Sequence, residues 1–178
     1  AYEIRPRDWS SDGALPICHG YQQVGIISGP VDMLNAQDRI QGWRDAMHDR
    51  GLPIDESLMF PASYTPQGGY EAAQTMIARG CVPRALFTSN EGQAIGALRA
   101  FSEHHLRVPQ DVALVCFNGT NHSSFHVPTL TTVRQPLREM ARSAIQMLKE
   151  GQSEAQLKEF PHYLEIGESC GCQPQSQS

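Results

Sequence analysis

Histidine, serine and cysteine placed close together are the first candidates for chemistry in this chain. His122 and His126 stand four residues apart, a spacing that aims two imidazoles at one ion from a helix face. Zinc needs three or four ligands, and no third has a recognisable place nearby, so no metal is expected. Ser123 and Ser124 lie beside His122, yet no Gly-x-Ser-x-Gly elbow supports a nucleophile and no acidic partner is evident. The chain therefore does not read as an enzyme. His104 and His105 adjoin the end of a helical pattern. Gly-x-Gly-x-x-Gly and the P-loop pattern are both absent, leaving no phosphate cradle and no expected cofactor. Cys170-Gly171-Cys172 is half a metal site at most. With Cys18, Cys81 and Cys116 it makes an odd count at irregular spacing, which is no disulfide framework. Reduced thiols and a cytoplasmic location follow as expectations. What remains for chemistry is binding, by short polar and aromatic clusters: Ser28-Gly29-Pro30, Ser63-Tyr64-Thr65, Ser89-Asn90-Glu91 and Asn118-Gly119-Thr120.

The elements around those clusters explain why they belong together. QQVGIIS (22–28) is a β-branched run stopped by Gly29-Pro30, a strand signal. In the next segment Ile40, Trp43 and Met47 recur at helical spacing with charges elsewhere on the wheel, and Gly51 closes the helix. SLMFPAS (57–63) reads as a second strand. The helix over 65–80 carries Thr65 as cap, Pro66 in its first turn and Gly80 after its end. ALFTS (85–89) reads as a third strand and 90–105 as a third helix capped by Asn90. DVALVCF (111–117) is almost wholly apolar, as a parallel strand covered on both faces should be. The alternation predicts an α/β fold, a parallel sheet with helices on both faces. In such sheets ligands sit beyond the carboxyl ends of the strands, where all four polar clusters fall.

After Thr120 the rhythm changes. NHSSFHVP reads as a polar loop or short helical turn and LTTVRQP as a short extended segment. The segment 136–151 reads as an amphipathic helix with Leu137, Met140, Ala144 and Met147 or Leu148 on its apolar stripe. A last strand is expected within HYLEIGES (162–169).

The chain has 178 residues and a formal charge of −5, with no basic run. A surface that neutralises phosphates needs clustered Lys and Arg, so this chain alone is not expected to hold nucleic acid. No apolar run approaches the ~20 residues of a membrane helix, so no membrane partner is expected.

Four blocks then resemble the effector-binding domain of the lactose/galactose repressor (LacI/GalR) family of bacterial transcription regulators. They are QQVGIISGP with DRIQGWRDAM; GYEAAQTMIARGCVPRALFTSNEGQAIGALRAF; LRVPQDVALVCFNG; and LTTVRQPLREMARSAIQML. The resemblance implies a type I periplasmic-binding-protein-like (LacI-type) effector domain, mainly its C-terminal subdomain. Residues 1–132 would form that second subdomain and 133–158 a segment returning to the first. Residues 159–170 would be the last strand crossing back, and 171–178 a disordered tail. The implied function is a ligand-responsive, repressor-type regulator whose effector, a sugar or sugar derivative, shifts operator affinity. Alternatives are a periplasmic sugar-binding transport protein of the same fold, or the sensory module of another regulator. Operator DNA would be held by a headpiece absent from this chain, and homodimerisation is implied near the 90–105 helix and the 119–127 loop, where Phe125 stands among polar residues.

The resemblance also assigns effector-binding roles. Arg39 stands where the family places an arginine on sugar hydroxyls, a task suited to its rigid fork of donors. Tyr64 stands where an aromatic ring stacks on a pyranose, and Asn90 where an amide both caps a helix and faces the effector. Asn118 replaces the usual aspartate and is followed by Gly119 instead of a second one, which gives up charge-assisted hydrogen bonds. Asn35 is a further effector contact or the cap of the helix that carries Arg39.

Overall fold

The computed structural model describes residues 20–150 and 158–171. Its elements run β1 (Val24–Ser28), α1 (Leu34–Asp49), β2 (Met59–Pro61), α2 (Pro66–Ala78), β3 (Ala85–Thr88) and α3 (Glu91–Glu103). They continue β4 (Ala113–Phe117), β5 (Thr131–Arg134), α4 (Leu137–Lys149) and β6 (Tyr163–Glu165), with 3-10 turns at Glu56–Leu58 and Asn121–Phe125.

The strands form one sheet in the order β2-β1-β3-β4-β5-β6. Neighbours from β2 to β5 pair in parallel, so their carboxyl ends share one edge. The last strand departs from the parallel expectation: β6 runs antiparallel, with Thr132, Val133 and Arg134 opposite Glu165, Leu164 and Tyr163. The run LTTVRQP thus contributes a full sheet strand.

Side chains alternate across this sheet and divide the core. Val24, Ile26, Phe87, Val115 and Phe117 face α1, which buries Ile40, Trp43 and Met47 against them. Ile27, Leu86, Leu114 and Cys116 face α2 and α3, which contribute Met76, Ala97 and Phe101. Burying each large side chain stabilises the fold by about 1.5–3 kcal/mol. Trp43 adds direction, because its indole N–H donates to the Val24 carbonyl at 3.0 Å and pins α1 to β1.

Local signals position the helices. Thr65 and Asn90 cap α2 and α3, accepting from the N–H groups of Gly68 and Gln93. Gly51 and Gly80 follow the helix ends at φ 64° and 63°, as their C′ positions require. Helix α1 begins earlier than an Asn35 cap would allow: its N-cap is Met33, with no side-chain cap bond, so Asn35 lies inside the first turn.

The apolar stripe of α4 is only partly covered among the described residues, with Met140, Ala144 and Met147 half-buried. Leu137, Ile145 and Leu148 are exposed, the last by 81 %, and Ser143 alone is buried on this helix. Of the 171–178 segment read as a disordered tail, residues 172–178 lie outside the described residues, as do the expected helix stop at Gly151, Cys18 and Cys172. Among the described residues no helix is long and apolar enough to cross a membrane.

Candidate functional site

The parallel strands deliver their carboxyl ends to one edge, and there Arg39 reaches in from α1. Its guanidinium lies 5.2 Å from the Tyr64 ring centre and 5.0 Å from that of Phe117. Two aromatic rings within about 6 Å of one cation attract it through their quadrupoles. Burial pulls the Arg39 guanidinium below the ordinary arginine range, partly countered by the Tyr64 side chain and by Asp38. It remains charged at any physiological pH.

Tyr64 is fixed from several sides. A Cβ on Gly29 would overlap its Cζ and hydroxyl, so the ring packs directly on the backbone where β1 ends. Its hydroxyl donates to Asn35 Oδ1 at 3.4 Å, and its carbonyl accepts from Asn90 Nδ2 at 2.9 Å. Because Arg39 covers the Tyr64 ring, tyrosine and arginine form one assembly.

Asn90 combines its tasks through a single amide. Oδ1 accepts the Gln93 N–H at 2.8 Å while Nδ2 holds Tyr64, leaving one N–H and one lone pair for a third partner. Asn118 is exposed and takes φ 62°, a left-handed conformation that asparagine tolerates better than most residues. Its N–H donates to the Val133 carbonyl at 2.8 Å. Gly119 has a steric reason, since a Cβ there would run into the Thr132 side chain. Arg39, Tyr64, Asn35 and Asn90 are thus joined by contacts, and Asn118 follows Phe117 on the neighbouring strand end.

The loop after β4 is stapled to the same edge. Glu91, buried in the first turn of α3, accepts from the Thr120 N–H at 3.1 Å and the Ser123 hydroxyl at 2.6 Å. Its negative charge also suits a helix N-terminus. Arg134 donates to the Thr120 carbonyl at 2.8 Å and Asn121 Oδ1 at 3.1 Å, and pairs with Glu165 on β6. His122 is exposed within the 3-10 turn, and no group of three or more metal-ligating side chains occurs among the described residues.

Phe117 is the member of this arrangement that sequence reasoning passed over, because an aromatic ending an apolar strand reads as core. The available signal was its place: the last residue before the polar Asn118-Gly119 turn, at the carboxyl edge of the sheet. Gln93 was also missed, since nothing local distinguishes a helical glutamine that folds inward.

The family profile described as "periplasmic binding protein-like domain" matches residues 17–170. The HTH-type transcriptional repressor PurR of Pasteurella multocida is 33 % identical over 134 residues, which is 75 % of this chain and 40 % of that protein. The chain therefore spans less than half the length of that curated relative. Among solved structures, a putative LacI-family transcriptional regulator from Sanguibacter keddieii superposes with a TM-score of 0.85 and 28 % identity, covering 92 % of this chain and 64 % of that one. A sugar-binding LacI-family regulator from Escherichia coli, complexed with phosphate, gives 0.83 and 26 %, covering 94 % and 62 %.

Proposed function

The chain belongs to the periplasmic binding protein-like domain family, in its LacI-type form, and from that premise we propose that it is the effector-sensing part of a longer ligand-responsive transcription regulator. Residues 1–132 serve as the C-terminal subdomain. Residues 133–158 return the chain to a first subdomain, which would cover the exposed Leu137, Ile145 and Leu148 stripe of α4. Residues 159–170 cross back. Effector binds at the carboxyl edge of the sheet, between the two subdomains, and favours one closure state. Operator affinity then follows the difference in effector affinity between states.

The observation that carries this reading is the seating of Arg39 between the Tyr64 and Phe117 rings, beside the amides of Asn90 and Asn35. This array offers donors, acceptors and apolar ring edges together, which is what a polyhydroxylated ring needs. Asn118 fits the same role with a neutral amide where a carboxylate would bind hydroxyls more tightly. A sugar or sugar derivative is the ligand class proposed. Operator contact belongs to a headpiece outside this chain, consistent with a net charge of −5.

Homodimerisation is proposed near α3, within the 90–105 segment, and the 119–127 loop after β4. A groove of about 490 Å³ lies between α2 and α3, lined by Tyr70, Ile95 and Arg99 among others. In the loop after β4, Phe125 and Val127 are 83 % and 94 % exposed.

The test is titration calorimetry of the full-length regulator against a panel of mono- and disaccharides, with operator affinity measured in parallel. A sugar that binds and shifts operator affinity supports the reading. Failure of every sugar to do either overturns the ligand class. A secretion signal in place of a helix-turn-helix upstream of Ala1 overturns the regulator role in favour of transport.

A further inference from the structure

One buried amide underlies the whole site edge. Gln93, in the first turn of α3, is fully buried. Its Nε2 meets three backbone carbonyls, those of Ser28 at 2.9 Å, Ser63 at 3.1 Å and Ala62 at 3.3 Å. An amide nitrogen has two hydrogens, so the three acceptors share them. Ser28 immediately precedes Gly29, and Ser63 immediately precedes Tyr64. Gly29 and Tyr64 are the pair in direct contact above. Gln93 thus holds the two chain segments together one residue below the point where they touch.

Asn90 stands three residues earlier, on the same face of the helix start, and holds the next carbonyl along, that of Tyr64. Carbonyls 62, 63 and 64 are therefore all gripped by the first turn of α3. The other end of the Gln93 amide does nothing comparable: Oε1 is buried with no hydrogen-bond partner among the described residues. An orphan acceptor in a core costs stability, and methionine would fill similar volume without it. The donor end is what this glutamine supplies.

We propose that Gln93 is the positioning residue of the effector site: it fixes the spacing of Gly29 and Tyr64, and through Tyr64 the seat of Arg39. The proposal rests on reading this edge as the binding site, but its mechanical content does not depend on any ligand. Gln93 itself would touch no effector.

The test is side-chain NMR of the ligand-free 178-residue chain. The Arg39 Nε–H signal, identified by its loss in Arg39→Lys, carries the ring-current shift of Tyr64 and Phe117. In Gln93→Met that signal should move to the position of an exposed arginine and exchange faster with solvent, while Ile27, Leu86 and Leu114 amides stay in place. Met76→Ala, a cavity in the α2 core, serves as the control: it should lower the melting temperature and leave the Arg39 signal where it was. An unmoved Arg39 signal in folded Gln93→Met overturns the proposal. If Gln93→Met gives no dispersed spectrum, Gln93→Asn decides, because its amide falls one methylene short of the carbonyls. There too a displaced signal supports the role and an unmoved one overturns it. Because no ligand is added, failure of sugars to bind would count against the effector reading alone.

Discussion

The Arg39 guanidinium rests 5.0 Å from the centre of the Phe117 ring, so the first helix and the fourth strand meet at the carboxyl edge of the sheet. Tyr64 completes the seat at 5.2 Å. The cation thus sits between two aromatic rings contributed by different elements.

In the full-length regulator, Arg39→Ala should weaken effector binding. Hydrogen bonds to a charged group contribute about 1.5–3 kcal/mol, hence roughly 10- to 150-fold in affinity. Folding should be little changed, because Ile40, Trp43 and Met47 keep α1 docked. Operator binding without effector should persist. Arg39→Lys should restore little, since an ammonium lacks the planar fork. Calorimetry with an effector found by the panel titration decides the matter, and unchanged affinity in the alanine variant would remove Arg39 from the proposed site.

Phe117 should separate packing from site function. It is 3 % exposed, so Phe117→Ala should destabilise by about 3–5 kcal/mol through the cavity it leaves. Phe117→Leu should retain most stability while losing the ring beneath Arg39. Urea unfolding paired with effector titration reads both effects. A leucine variant with native affinity would make Phe117 a core residue only.

Asp111 supplies a pH signature remote from the site. Arg107 holds its carboxyl at about 2, through side-chain and backbone hydrogen bonds together. A depressed carboxylate pKa stabilises the fold above the unfolded value of about 3.9. That contribution fades as pH falls from about 4 towards 2. Carbon-detected titration should place the Asp111 midpoint near 2, and Arg107→Ala should return it towards the ordinary value. A normal midpoint in the parent chain would refute the pairing in solution.

Cys116 should behave as an inert thiol. Burial in the β4 core pushes it up to about 12, leaving almost no thiolate at neutral pH. Iodoacetamide mapped by mass spectrometry at pH 8 should label half-buried Cys81 before Cys116. Labelling of Cys116 should track global unfolding in urea. Rapid modification of Cys116 in the native chain would contradict its place between sheet and α3.

The isolated chain should leave duplex DNA unprotected at physiological salt. It carries a net charge of −5 and no basic run to release counterions. A specific footprint from these 178 residues would locate the operator contact here instead of in a headpiece.

Sequence alone determined the features that short-range physics controls. The βα alternation, the Thr65 and Asn90 caps, the Gly51 and Gly80 stops and the two-faced core follow from neighbours a few residues apart. The polar strand ends marked one shared edge for the same reason, because parallel strands must finish together. Tertiary structure decided what depends on distant partners. Gln93 and Ser28 lie 65 positions apart, and no local pattern tells a helical glutamine that it will donate to a strand end. Phe117 looks like any core aromatic until Arg39 arrives from another element. Asn35 looks like a cap until the turn from Pro30 to Met33 starts α1 earlier and leaves its amide to Tyr64. The antiparallel direction of β6 is equally invisible locally, since a three-residue strand has the same pattern read either way. Direction, like the seating of Arg39, is set by which groups meet once the chain has crossed the fold.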